Sequence, residues 1–357
     1  MEPATATQPA RQIDADEIAP AQRTFFARAP MRISFAGGGT DVSPYPEREG
    51  GAVLSATITR YAFASARLRD DDQFNLTSLD LGLIAEGRIS ELSQLDRSLH
   101  LLRGPIERLT DGRGVDLRVQ SQAPPGSGLG ASSTIVVAVL GALMAAHGRT
   151  DSRHRVAEAA VAVERGDLGL TGGTQDQYAA VFGGVNFLEF HGDGVTVNQL
   201  RLPASTIATL EHNLLLCHLG TSRESATIIE DQRDRYENRS EATTEALSRQ
   251  KSLAVEMKQA LLAAELDRFG TLLDEVWQTK QEMSPLISTD DAARSYEVAI
   301  GAGALGGKIT GAGGGGYMLF YSPFERRFEV AQALRADGFE VLDISIDEMG
   351  LESWSHD

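Results

Sequence analysis

The sequence predicts an α+β fold built from two domains. Segments typical of strands and of helices both occur along the chain, but they do not alternate regularly, which argues against a doubly wound parallel sheet. Glycine-rich runs stand at several junctions between these segments. With 357 residues, of which 42% are hydrophobic, the chain is long enough for two to three domains of ~100–200 residues and for a substantial core.

Changes in composition divide the chain into three predicted parts. Residues 1–23 are rich in alanine, proline, glutamine and acidic residues, and predict a disordered leader that lacks the basic start and apolar run of a signal peptide. Residues 24–203 predict an N-terminal domain, because most strand-like segments lie there. Residues 204–357 predict a C-terminal domain that begins after Pro203.

In the N-terminal domain, short runs rich in β-branched and aromatic residues predict strands. They cover residues 25–35, 53–69, 115–120 and 185–190. Longer segments with helical periodicity predict helices, and they cover residues 96–110, 134–146 and 151–165. We expect Gly104 and Pro105 to break or restart the first helix, and Ser132 or Ser133 to cap the second.

In the C-terminal domain, apolar runs predict strands, and longer charged segments predict helices. The strands cover residues 214–219, 317–321 and 339–346, and the helices cover residues 222–283, 292–304 and 324–336. Cys217 is the only cysteine, so an intrachain disulfide and a cysteine-rich zinc site are excluded. Its apolar neighbours predict a buried side chain and not a nucleophile.

The charge balance disfavours some classes of partner. The chain has 33 Lys+Arg against 50 Asp+Glu, a net charge of −17, so we expect no nucleic-acid partner and no anionic membrane. No apolar run reaches the ~20 residues that a membrane-spanning helix requires. We therefore expect a cytoplasmic protein. A local basic pocket for a phosphorylated small molecule is still compatible with this balance.

The most informative motif lies at residues 124–133, which have the sequence PPGSGLGASS and precede an apolar helix. Glycines let the backbone approach a ligand closely, and the start of a helix presents free N–H groups and a positive dipole end to phosphate. A tight turn with a serine cap is the alternative interpretation. We predict that the phosphates of a nucleotide bind to Pro125, Gly126, Ser127, Gly128, Leu129, Gly130, Ala131, Ser132 and Ser133.

Two later glycine runs, at residues 301–306 and 311–316, satisfy the pattern GxGxxG. A dinucleotide site needs a strand before that pattern and a helix after it, whereas the first run follows a helix-like segment and the second leads into a strand. Residues 302–308 approach a Walker A motif, but Ile309 stands where Ser or Thr would hold magnesium. A Walker-type loop is therefore rejected, and a dinucleotide-dependent oxidoreductase is a weaker alternative.

A kinase that lacks a Walker lysine still needs three kinds of group. A carboxylate orients or deprotonates the acceptor hydroxyl, oxygen ligands hold a metal ion, and a cation balances the charge that develops on the transferred phosphoryl group. Asp176 follows a glycine turn and is a candidate base. Glu164 lies near the end of a predicted helix and is a candidate magnesium ligand. Spacing alone does not distinguish either residue from an ordinary surface acid.

Three segments together resemble the motifs of the galactokinase, homoserine kinase, mevalonate kinase and phosphomevalonate kinase (GHMP) superfamily. Residues 29–41 (APMRISFAGGGTD) resemble its motif 1, residues 124–133 its ATP-phosphate loop, and residues 308–316 (KITGAGGGG) its motif 3. The resemblance covers about residues 24–346. It implies the GHMP kinase fold, with an N-terminal domain like domain 2 of ribosomal protein S5, a ferredoxin-like C-terminal domain, and the active site between them.

Within the superfamily, the chain is most similar to the D-glycero-D-manno-heptose 7-phosphate kinase group. The similarity rests on residues 36–45 (AGGGTDVSPY), 172–178 (GGTQDQY) and 182–187 (FGGVNF). Galactokinases have Glu-His where this chain has Gly38 and Gly39, so galactose is not the expected acceptor. Fucokinase domains share parts of the same pattern and are the main competing assignment.

The resemblance also implies site residues and cofactors. Asp176 matches the catalytic aspartate, and Arg32 matches the motif 1 cation near the transferred phosphoryl group. Ser132 and Glu164 match magnesium ligands, so ATP and Mg²⁺ are the implied cofactors. Asp41 matches the aspartate that binds sugar hydroxyls, and further substrate contacts are expected at Gly38, Gly39, Thr40, Gly313 and Gly314.

A phosphate on the acceptor would need local cations in a chain of net charge −17. Residues 220–225 follow an apolar strand and begin a helix, and they offer hydroxyl groups and Arg223. We expect Arg223 to bind that phosphate. Lys280 is a second candidate, and a plain helix cap with a surface arginine is the alternative interpretation.

The resulting hypothesis is ATP-dependent phosphorylation of the anomeric C1 hydroxyl of heptose 7-phosphate, which gives the 1,7-bisphosphate, a precursor of nucleotide-activated heptose. The alternatives are an L-fucokinase or another sugar-1-kinase of the same fold, the oxidoreductase, and a catalytically silent sugar-sensing relative. A small-molecule sugar phosphate is the expected partner, and a homo-oligomer is compatible with the sequence.

Overall fold

The structure is a computed structural model that describes residues 11–12, 23–220 and 225–356. Arg11 and Gln12 form a short strand, where the sequence predicts part of a disordered leader. The remaining leader residues lie outside the described part of the chain, and so does the predicted phosphate ligand Arg223.

Strands and helices are mixed along the described chain, as the predicted α+β class requires. The strands are β1 (Arg11–Gln12), β2 (Thr24–Ala36), β3 (Gly51–Leu68), β4 (Gln73–Ser78), β5 (Leu83–Arg88), β6 (Val115–Ser121), β7 (Val185–His191), β8 (Gly194–Gln199), β9 (Leu214–His218), β10 (Gly306–Ile309), β11 (Tyr317–Tyr321), β12 (Glu340–Leu342) and β13 (Glu352–His356).

The helices are α1 (Tyr45–Glu49), α2 (His100–Leu109), α3 (Ala131–Ala146), α4 (Arg153–Val161), α5 (Gln175–Phe182), α6 (Ala204–Asn213), α7 (Ser225–Glu237), α8 (Glu241–Leu262), α9 (Leu266–Met283), α10 (Asp290–Gly301) and α11 (Arg327–Ala336). Shorter turns are 3₁₀-helical at Ile89–Gln94 and Arg97–Leu99 and π-helical at Ala162–Asp167. Among the described helices, none is both long enough and apolar enough to cross a bilayer.

The described strands form two sheets. The first has the order β1-β5-β4-β6-β3-β2-β13, and β7 and β8 join it through β3. Its pairs are antiparallel except β4 with β6, which is parallel. The long strand β3 pairs with β2 along one side, while β6 and β7 share the other. The second sheet is antiparallel, in the order β10-β11-β9-β12.

The buried apolar side chains of the described residues form three clusters, one of which joins the two halves of the chain. The first cluster lies between the first sheet and helices α2 to α5, and another lies between the second sheet and helices α7 to α11. In the joining cluster, Met31, Ile33 and Phe35 of β2 pack with residues of α8 and α9. The rings of Phe35 and Phe269 meet edge to face, with centroids 5.1 Å apart.

Most predicted elements are confirmed, with shifts at their ends. Strands β2, β3, β6, β7, β9 and β11 occupy predicted strand segments, whereas β12 is much shorter than the predicted segment 339–346. The helical region predicted at 222–283 contains three helices, α7 to α9. Strands β4, β5, β8 and β13 have no counterpart among the predictions, because none exceeds six residues and their alternation is brief.

Two local predictions are wrong. Helix α3 begins at Ala131, earlier than predicted, so Ser132 and Ser133 lie within its first turn and neither caps it; Gly130 precedes the helix with a φ of 78°. Helix α2 continues through Pro105 without a break. The proline removes one backbone hydrogen bond, but Leu102, Pro105, Ile106 and Leu109 are buried along this helix, and their packing offsets the loss.

The last described strand returns to the first sheet. Strand β13 pairs with β2 in register from Glu352 opposite Arg28 to His356 opposite Thr24. A single division of the chain near Pro203 therefore does not separate the two sheets. The ranges 24–203 and 204–357 stay a prediction for the domains.

Candidate active site

A cavity of about 310 Å³ lies where the glycine-rich loops meet β2, β10 and helices α5, α7 and α9. Residues from both halves of the chain line it. The fold thereby gathers most of the residues predicted for the site into one wall, namely Arg32, Gly38, Gly39, Asp41, Gly126, Ser127, Gly128, Gly130, Ala131, Ser132, Ser133, Glu164 and Asp176.

The phosphate loop and the loop at residues 310–316 touch through their backbones. A Cβ atom at Gly128 would lie 2.6 Å from the Thr310 carbonyl oxygen, and one at Gly311 would lie 2.8 Å from Gly128 Cα. Gly128 also has a φ of 75°, a left-handed conformation that glycine adopts without a steric penalty. The close approach leaves no room for side chains, so the second loop supports the first.

Helix α3 begins at the cavity wall. Gly130, Ala131, Ser132 and Ser133 all line the wall, and the first turn of α3 carries no acidic side chain. The first N–H groups of a helix have no partner within the helix and carry the positive end of its dipole. Residues 126–133, with Gly311 and Ala312 beside them, therefore fit nucleotide phosphates. We call this part of the wall the nucleotide end.

Glu164 is placed at the cavity by the π-helical turn that follows α4, a kind of turn that is frequent at functional sites. Its Oε2 atom accepts a hydrogen bond from the Ser133 hydroxyl at 3.0 Å and lies 3.5 Å from the Arg165 guanidinium. Its Oε1 atom is buried and has no hydrogen-bond partner among the described residues. Burial raises the pKa of Glu164.

The donor set at the nucleotide end fits a magnesium ion bound together with a nucleotide. Mg²⁺ takes one or two protein oxygens and completes its shell with water and phosphate oxygens. Glu164 Oε1 is a buried oxygen without a partner in the described structure, and the exposed Ser132 lines the same cavity. The described residues contain no cluster of three or more His, Cys, Asp or Glu, so a fully protein-built metal cage is absent from them.

Asp176 and Arg32 form an ion pair beside the phosphate loop. Arg32 Nε donates to Asp176 Oδ1 at 2.8 Å, and the Arg32 guanidinium also donates to the Gly128 carbonyl. A Cβ atom at Gly130 would lie 3.1 Å from Asp176 Oδ2, so the carboxylate borders the loop. Arg32 is buried, whereas the Asp176 side chain is 21% exposed and accessible from the cavity.

Asp41 is held next to this ion pair by Gln175, the neighbour of Asp176. The backbone N–H and the Nε2 atom of Gln175 both donate to the Asp41 carboxylate at 3.1 Å, and the Gly39 N–H donates at 3.2 Å. A Cβ atom at Gly173 would lie 1.9 Å from Asp41 Oδ2, so only glycine fits there. Burial, and then the charge of Asp176, raise the pKa of Asp41.

Two buried lysines also line the cavity. Lys308 of β10 donates from Nζ to the Ser34 carbonyl at 2.6 Å, and Lys280 of α9 is 4% exposed. Burial lowers the pKa of both side chains, to about 8 for Lys280. We call the wall formed by Gly38, Gly39, Asp41, Gln175, Gln232 and Lys280 the Asp41 end.

Thr40, Leu129 and Pro125, which were also predicted as contacts, lie outside the cavity wall. Thr40 is fully buried, and its hydroxyl donates to the Gly37 carbonyl at 2.7 Å and accepts from the Ala52 N–H at 3.1 Å, so it stabilises the turn. Leu129 is buried in the cluster that joins both halves of the chain. Pro125 is exposed and does not line the cavity.

Gly313 and Gly314 are also absent from the wall, and Gly311 and Ala312 line it instead. The Gly314 N–H donates to the Ile287 carbonyl at 2.8 Å, and a Cβ atom at Gly313 would lie 2.9 Å from Ile287 Cα. The part of the loop that contains Gly313 and Gly314 is thus packed against the segment after α9 and does not line the cavity.

Sequence reasoning missed Gln175, Gln232, Arg165 and Lys308 as residues of the wall. Gln175 stands next to the candidate base, and Lys308 is the first residue of the motif 3 segment. Their positions in the sequence could therefore have indicated both residues. Gln232 carries no such signal, because it lies in a long charged helical region where solvent exposure is the ordinary expectation.

Comparisons with known proteins identify the family of this chain. The model of the GHMP kinases N-terminal domain matches residues 98–184, and that of the GHMP kinases C-terminal domain matches residues 257–339. The D-glycero-alpha-D-manno-heptose 7-phosphate kinase of Campylobacter jejuni is 34% identical over 338 residues, which cover 93% of this chain and 99% of that protein. The chain belongs to the GHMP kinase family.

Two further similarities bear on this GHMP kinase. The crystal structure of a D-glycero-D-manno-heptose 1-phosphate kinase from Bacteroides thetaiotaomicron matches with a TM-score of 0.77 and 30% identity, over 92% of this chain and 98% of that one. The bifunctional fucokinase/GDP-fucose pyrophosphorylase of Arabidopsis thaliana is 27% identical over 85% of this chain and 30% of that protein's length.

These findings confirm the predicted GHMP kinase fold and make the chain an ATP-dependent kinase. The oxidoreductase alternative is wrong. The glycine run at 301–306 lies between α10 and β10, and the run at 311–316 connects β10 to β11. Neither follows a strand and opens a helix, which a dinucleotide site requires.

Proposed function

We propose that this kinase transfers the γ-phosphoryl group of ATP to the C1 hydroxyl of D-glycero-D-manno-heptose 7-phosphate. The observation that carries the proposal is the position of the Asp176–Arg32 ion pair, which borders the phosphate loop at Gly130 and adjoins the contact between Gln175 and Asp41. A carboxylate there can reach both a nucleotide and an acceptor. The name of the Campylobacter jejuni relative supports a heptose phosphate as that acceptor.

Asp176 acts as the base or orienting group for the acceptor. It takes the proton of the C1 hydroxyl as O1 attacks the γ-phosphorus, so that an O1–P bond forms. The bond from the γ-phosphorus to the β–γ bridging oxygen breaks, and that oxygen keeps the electron pair and leaves on ADP. Arg32 holds the Asp176 carboxylate at 2.8 Å and stabilises the charge on the transferring group.

The nucleotide end holds the donor substrate. Backbone N–H groups within residues 126–133 bind the nucleotide phosphates, and Ser132 and Glu164 would hold Mg²⁺. When bound, the ion neutralises phosphate charge during transfer. Ser133 positions Glu164, because its hydroxyl occupies Oε2 and leaves Oε1 free for the ion.

The Asp41 end receives the sugar. The Asp41 carboxylate accepts hydrogen bonds from Gln175 and from the Gly39 N–H, and these bonds fix the orientation of the carboxylate. Gln175 Oε1 is a buried acceptor without a partner in the described structure, and a sugar hydroxyl would satisfy it. We therefore assign the sugar hydroxyls to Asp41 and Gln175 together, with the backbone of Gly38 and Gly39 beside them.

Two relatives disagree in name on which phosphate the heptose carries, the 7-phosphate or the 1-phosphate. Phosphorylation of a 7-phosphate at C1 and of a 1-phosphate at C7 would give the same 1,7-bisphosphate. We place the product before a nucleotide-activated heptose, because an anomeric phosphate is the group that a nucleotidyl transfer extends. We also propose a cytoplasmic location, where both phosphorylated substrates are available.

The test is an ATP-consumption screen with D-glycero-D-manno-heptose 7-phosphate, D-glycero-D-manno-heptose 1-phosphate, the free heptose and L-fucose. ³¹P and ¹H NMR of the product identify the phosphorylated carbon. We expect the highest kcat/KM with the 7-phosphate and a new phosphate at C1. Preference for L-fucose would support the fucokinase alternative, and a new phosphate at C7 would refute the assignment of the acceptor hydroxyl.

A further inference from the structure

Lys280 is a buried cation without a direct protein partner in the described residues. It lies in α9, lines the cavity and makes no hydrogen bond or ion pair there. The other three cationic side chains of the described wall all have partners: Arg32 binds Asp176, Arg165 lies near Glu164, and Lys308 binds the Ser34 carbonyl. A buried ammonium group without a partner is costly, so this position fits an anionic ligand.

The charge balance of the wall points to the same conclusion. Two of its three described carboxylates, Asp176 and Glu164, lie within ion-pair distance of arginines, which leaves Lys280 and Lys308 opposite Asp41 alone. The chain as a whole carries a charge of −17, so a cavity wall in which cationic side chains outnumber carboxylates indicates binding of an anion.

Gln232 supplies a second donor on the same side of the cavity. It is buried in α7, and a Cβ atom at Gly39 would lie 2.5 Å from its Nε2 atom and 2.5 Å from Met283 Cε. Met283 stands three residues after Lys280, on the same face of α9. Gln232 and Lys280 both line the cavity, and the Gln232 amide has no hydrogen-bond partner in the described structure.

We infer that Lys280 and Gln232 bind a phosphate group that the acceptor already carries, so that this kinase selects phosphorylated over free sugars. The inference rests on the proposed function and deepens it. An ammonium group and an amide N–H that line the same cavity are suitable donors for phosphate. It assigns this role to described residues, whereas the sequence-based candidate Arg223 lies outside the described part of the chain.

The γ-phosphate of ATP has the same chemistry, but two observations favour the acceptor. The nucleotide end has its own donors in residues 126–133, where helix α3 begins. Among charged groups, Asp41 acts most strongly on Lys280, and Asp41 lies where we place the sugar. Kinetics that separate the two substrates distinguish these sources of phosphate.

The experiment compares three variants by steady-state kinetics. Lys280→Met removes the charge at similar volume, and Lys280→Arg retains it. Lys258→Met is the matched control, because Lys258 Nζ lies over the Phe187 ring and not in the cavity wall. Each enzyme is assayed with ATP and with either D-glycero-D-manno-heptose 7-phosphate or the free heptose, and KM and kcat are measured for every substrate.

We expect Lys280→Met to raise the KM for heptose 7-phosphate roughly tenfold to a hundredfold, the loss typical of one charge-assisted hydrogen bond. The KM values for ATP and for free heptose should not change, and Lys280→Arg should recover part of the loss. Lys258→Met should match the wild type. Gln232→Leu gives a second test and should reduce the preference for the phosphorylated sugar even where Lys280→Met fails to fold.

Equal losses with the phosphorylated and the free sugar would overturn the inference, and so would a rise confined to the KM for ATP. If the wild type prefers heptose 7-phosphate and the Lys280→Met and Gln232→Leu variants keep this preference, the inference is overturned but the proposed function stands. A wild type that phosphorylates only free sugars would overturn the proposed function together with it.

Discussion

At the residue scale, Asp176 is the group on which the proposed chemistry depends most. Asp176→Asn keeps the size of the side chain but removes the base and its charge. We expect turnover to fall by ~10²–10⁴, the usual contribution of a general base, with little change in the affinity for ATP. Turnover is measured by ATP consumption, and ATP affinity is measured by calorimetry.

The matched control for this change is Asp193→Asn, at an exposed position between β7 and β8. It should leave both turnover and ATP affinity at wild-type values. Turnover of Asp176→Asn within about threefold of wild type would remove Asp176 from the mechanism, because a base is worth far more than that.

Also at the residue scale, Ser132→Ala and Glu164→Gln should raise the magnesium requirement. Each removes or weakens one proposed protein ligand of an ion that has few of them, so binding weakens without being abolished. The measurement is the kinase rate as a function of Mg²⁺ concentration at fixed ATP. Glu158→Gln, at an exposed position on α4, is the control and should leave the curve unchanged. Unchanged curves for both site variants would exclude this metal assignment.

The third residue-scale prediction concerns Lys280 and stability. Burial lowers the pKa of Lys280 from 10.5 to about 8, with Asp41 opposing this shift and Arg32 adding to it. Lys308 and Gln232 also line this cavity with it. Between pH 8 and pH 10.5 the unfolded chain binds more protons at this position than the folded chain, so stability rises with pH across that window. The cost of burying the charge is therefore fully present below pH 8 and decreases above it.

Because the charge of Lys280 is costly to bury at pH 7, Lys280→Met should have a higher free energy of unfolding than the wild type at this pH. The expected difference is ~0.5–2 kcal/mol, a common size for a stabilising substitution. The gain should shrink as the pH rises above 8. Urea unfolding at a series of pH values measures it. A variant that is less stable than the wild type at pH 7 would contradict the expectation that this buried charge is retained for binding.

At the scale of elements, the phosphate loop depends on its contact with the loop before β11. Gly128→Ala would place a Cβ atom 2.6 Å from the Thr310 carbonyl oxygen, in addition to the left-handed backbone that φ of 75° imposes. Left-handed backbone alone costs roughly 1–2 kcal/mol for a residue with a Cβ atom. The clash must also displace one of the two loops, so we expect a raised KM for ATP together with lower stability.

Gly148→Ala separates the two effects. Gly148 has a φ of 63°, but a Cβ atom at this position would meet no atom within 4 Å beyond its two chain neighbours. The variant should lose stability through backbone strain only, with an unchanged KM for ATP. Thermal unfolding and ATP kinetics of both variants provide the comparison. Equal behaviour of the two variants would show that the contact between the loops does not matter.

The π-helical turn at Ala162–Asp167 is a second element that matters for the site. An α-helix has 3.6 residues per turn, so successive side chains point about 100° apart around its axis. If α4 continued as a regular α-helix through this turn, the side chains of the turn would therefore point in different directions. The turn gives Glu164 a buried position against Ser133 and leaves Oε1 without a partner in the described structure. The element thus orients the proposed metal ligand.

At the scale of the whole molecule, the two predicted domains share one core. Side chains of β2 pack with α8 and α9, including the 5.1 Å contact between the rings of Phe35 and Phe269, and β13 pairs with β2. Fragment 24–203 would lose these partners and expose their apolar surface. We therefore expect fragments 24–203 and 204–357 not to fold separately, whereas the full chain unfolds cooperatively.

Circular dichroism and ¹H–¹⁵N NMR spectra of each fragment test this expectation. Dispersed amide signals and a cooperative thermal transition for fragment 24–203 alone would contradict it. Co-expression of the two fragments is the positive control, since it can restore the shared core without a covalent link.

Features that depend on local pattern and on contiguous motifs could be predicted from the amino-acid order. Apolar runs and their periodicity predicted most of the long strands and helices, because those patterns repeat over many residues. The phosphate loop, Asp176 and Arg32 were predicted because each belongs to a segment that resembles a family motif, whereas Glu164 was first a candidate because it lies near the end of a predicted helix. The family assignment followed from the order of three such segments, and the comparisons confirm it.

The packing of distant segments determines which of these residues meet in one cavity and which face the core. Thr40 belongs to the same motif as Asp41, yet its side chain points into the turn that it stabilises, while Gly313 and Gly314 pack against Ile287. Lys280 and Gln232 come from charged helical segments in which exposure is the default expectation, and only the packing of α7 and α9 around the cavity buries them. Periodicity records which face of an element is apolar, but burial of a charge depends on contacts between segments that lie far apart in the chain.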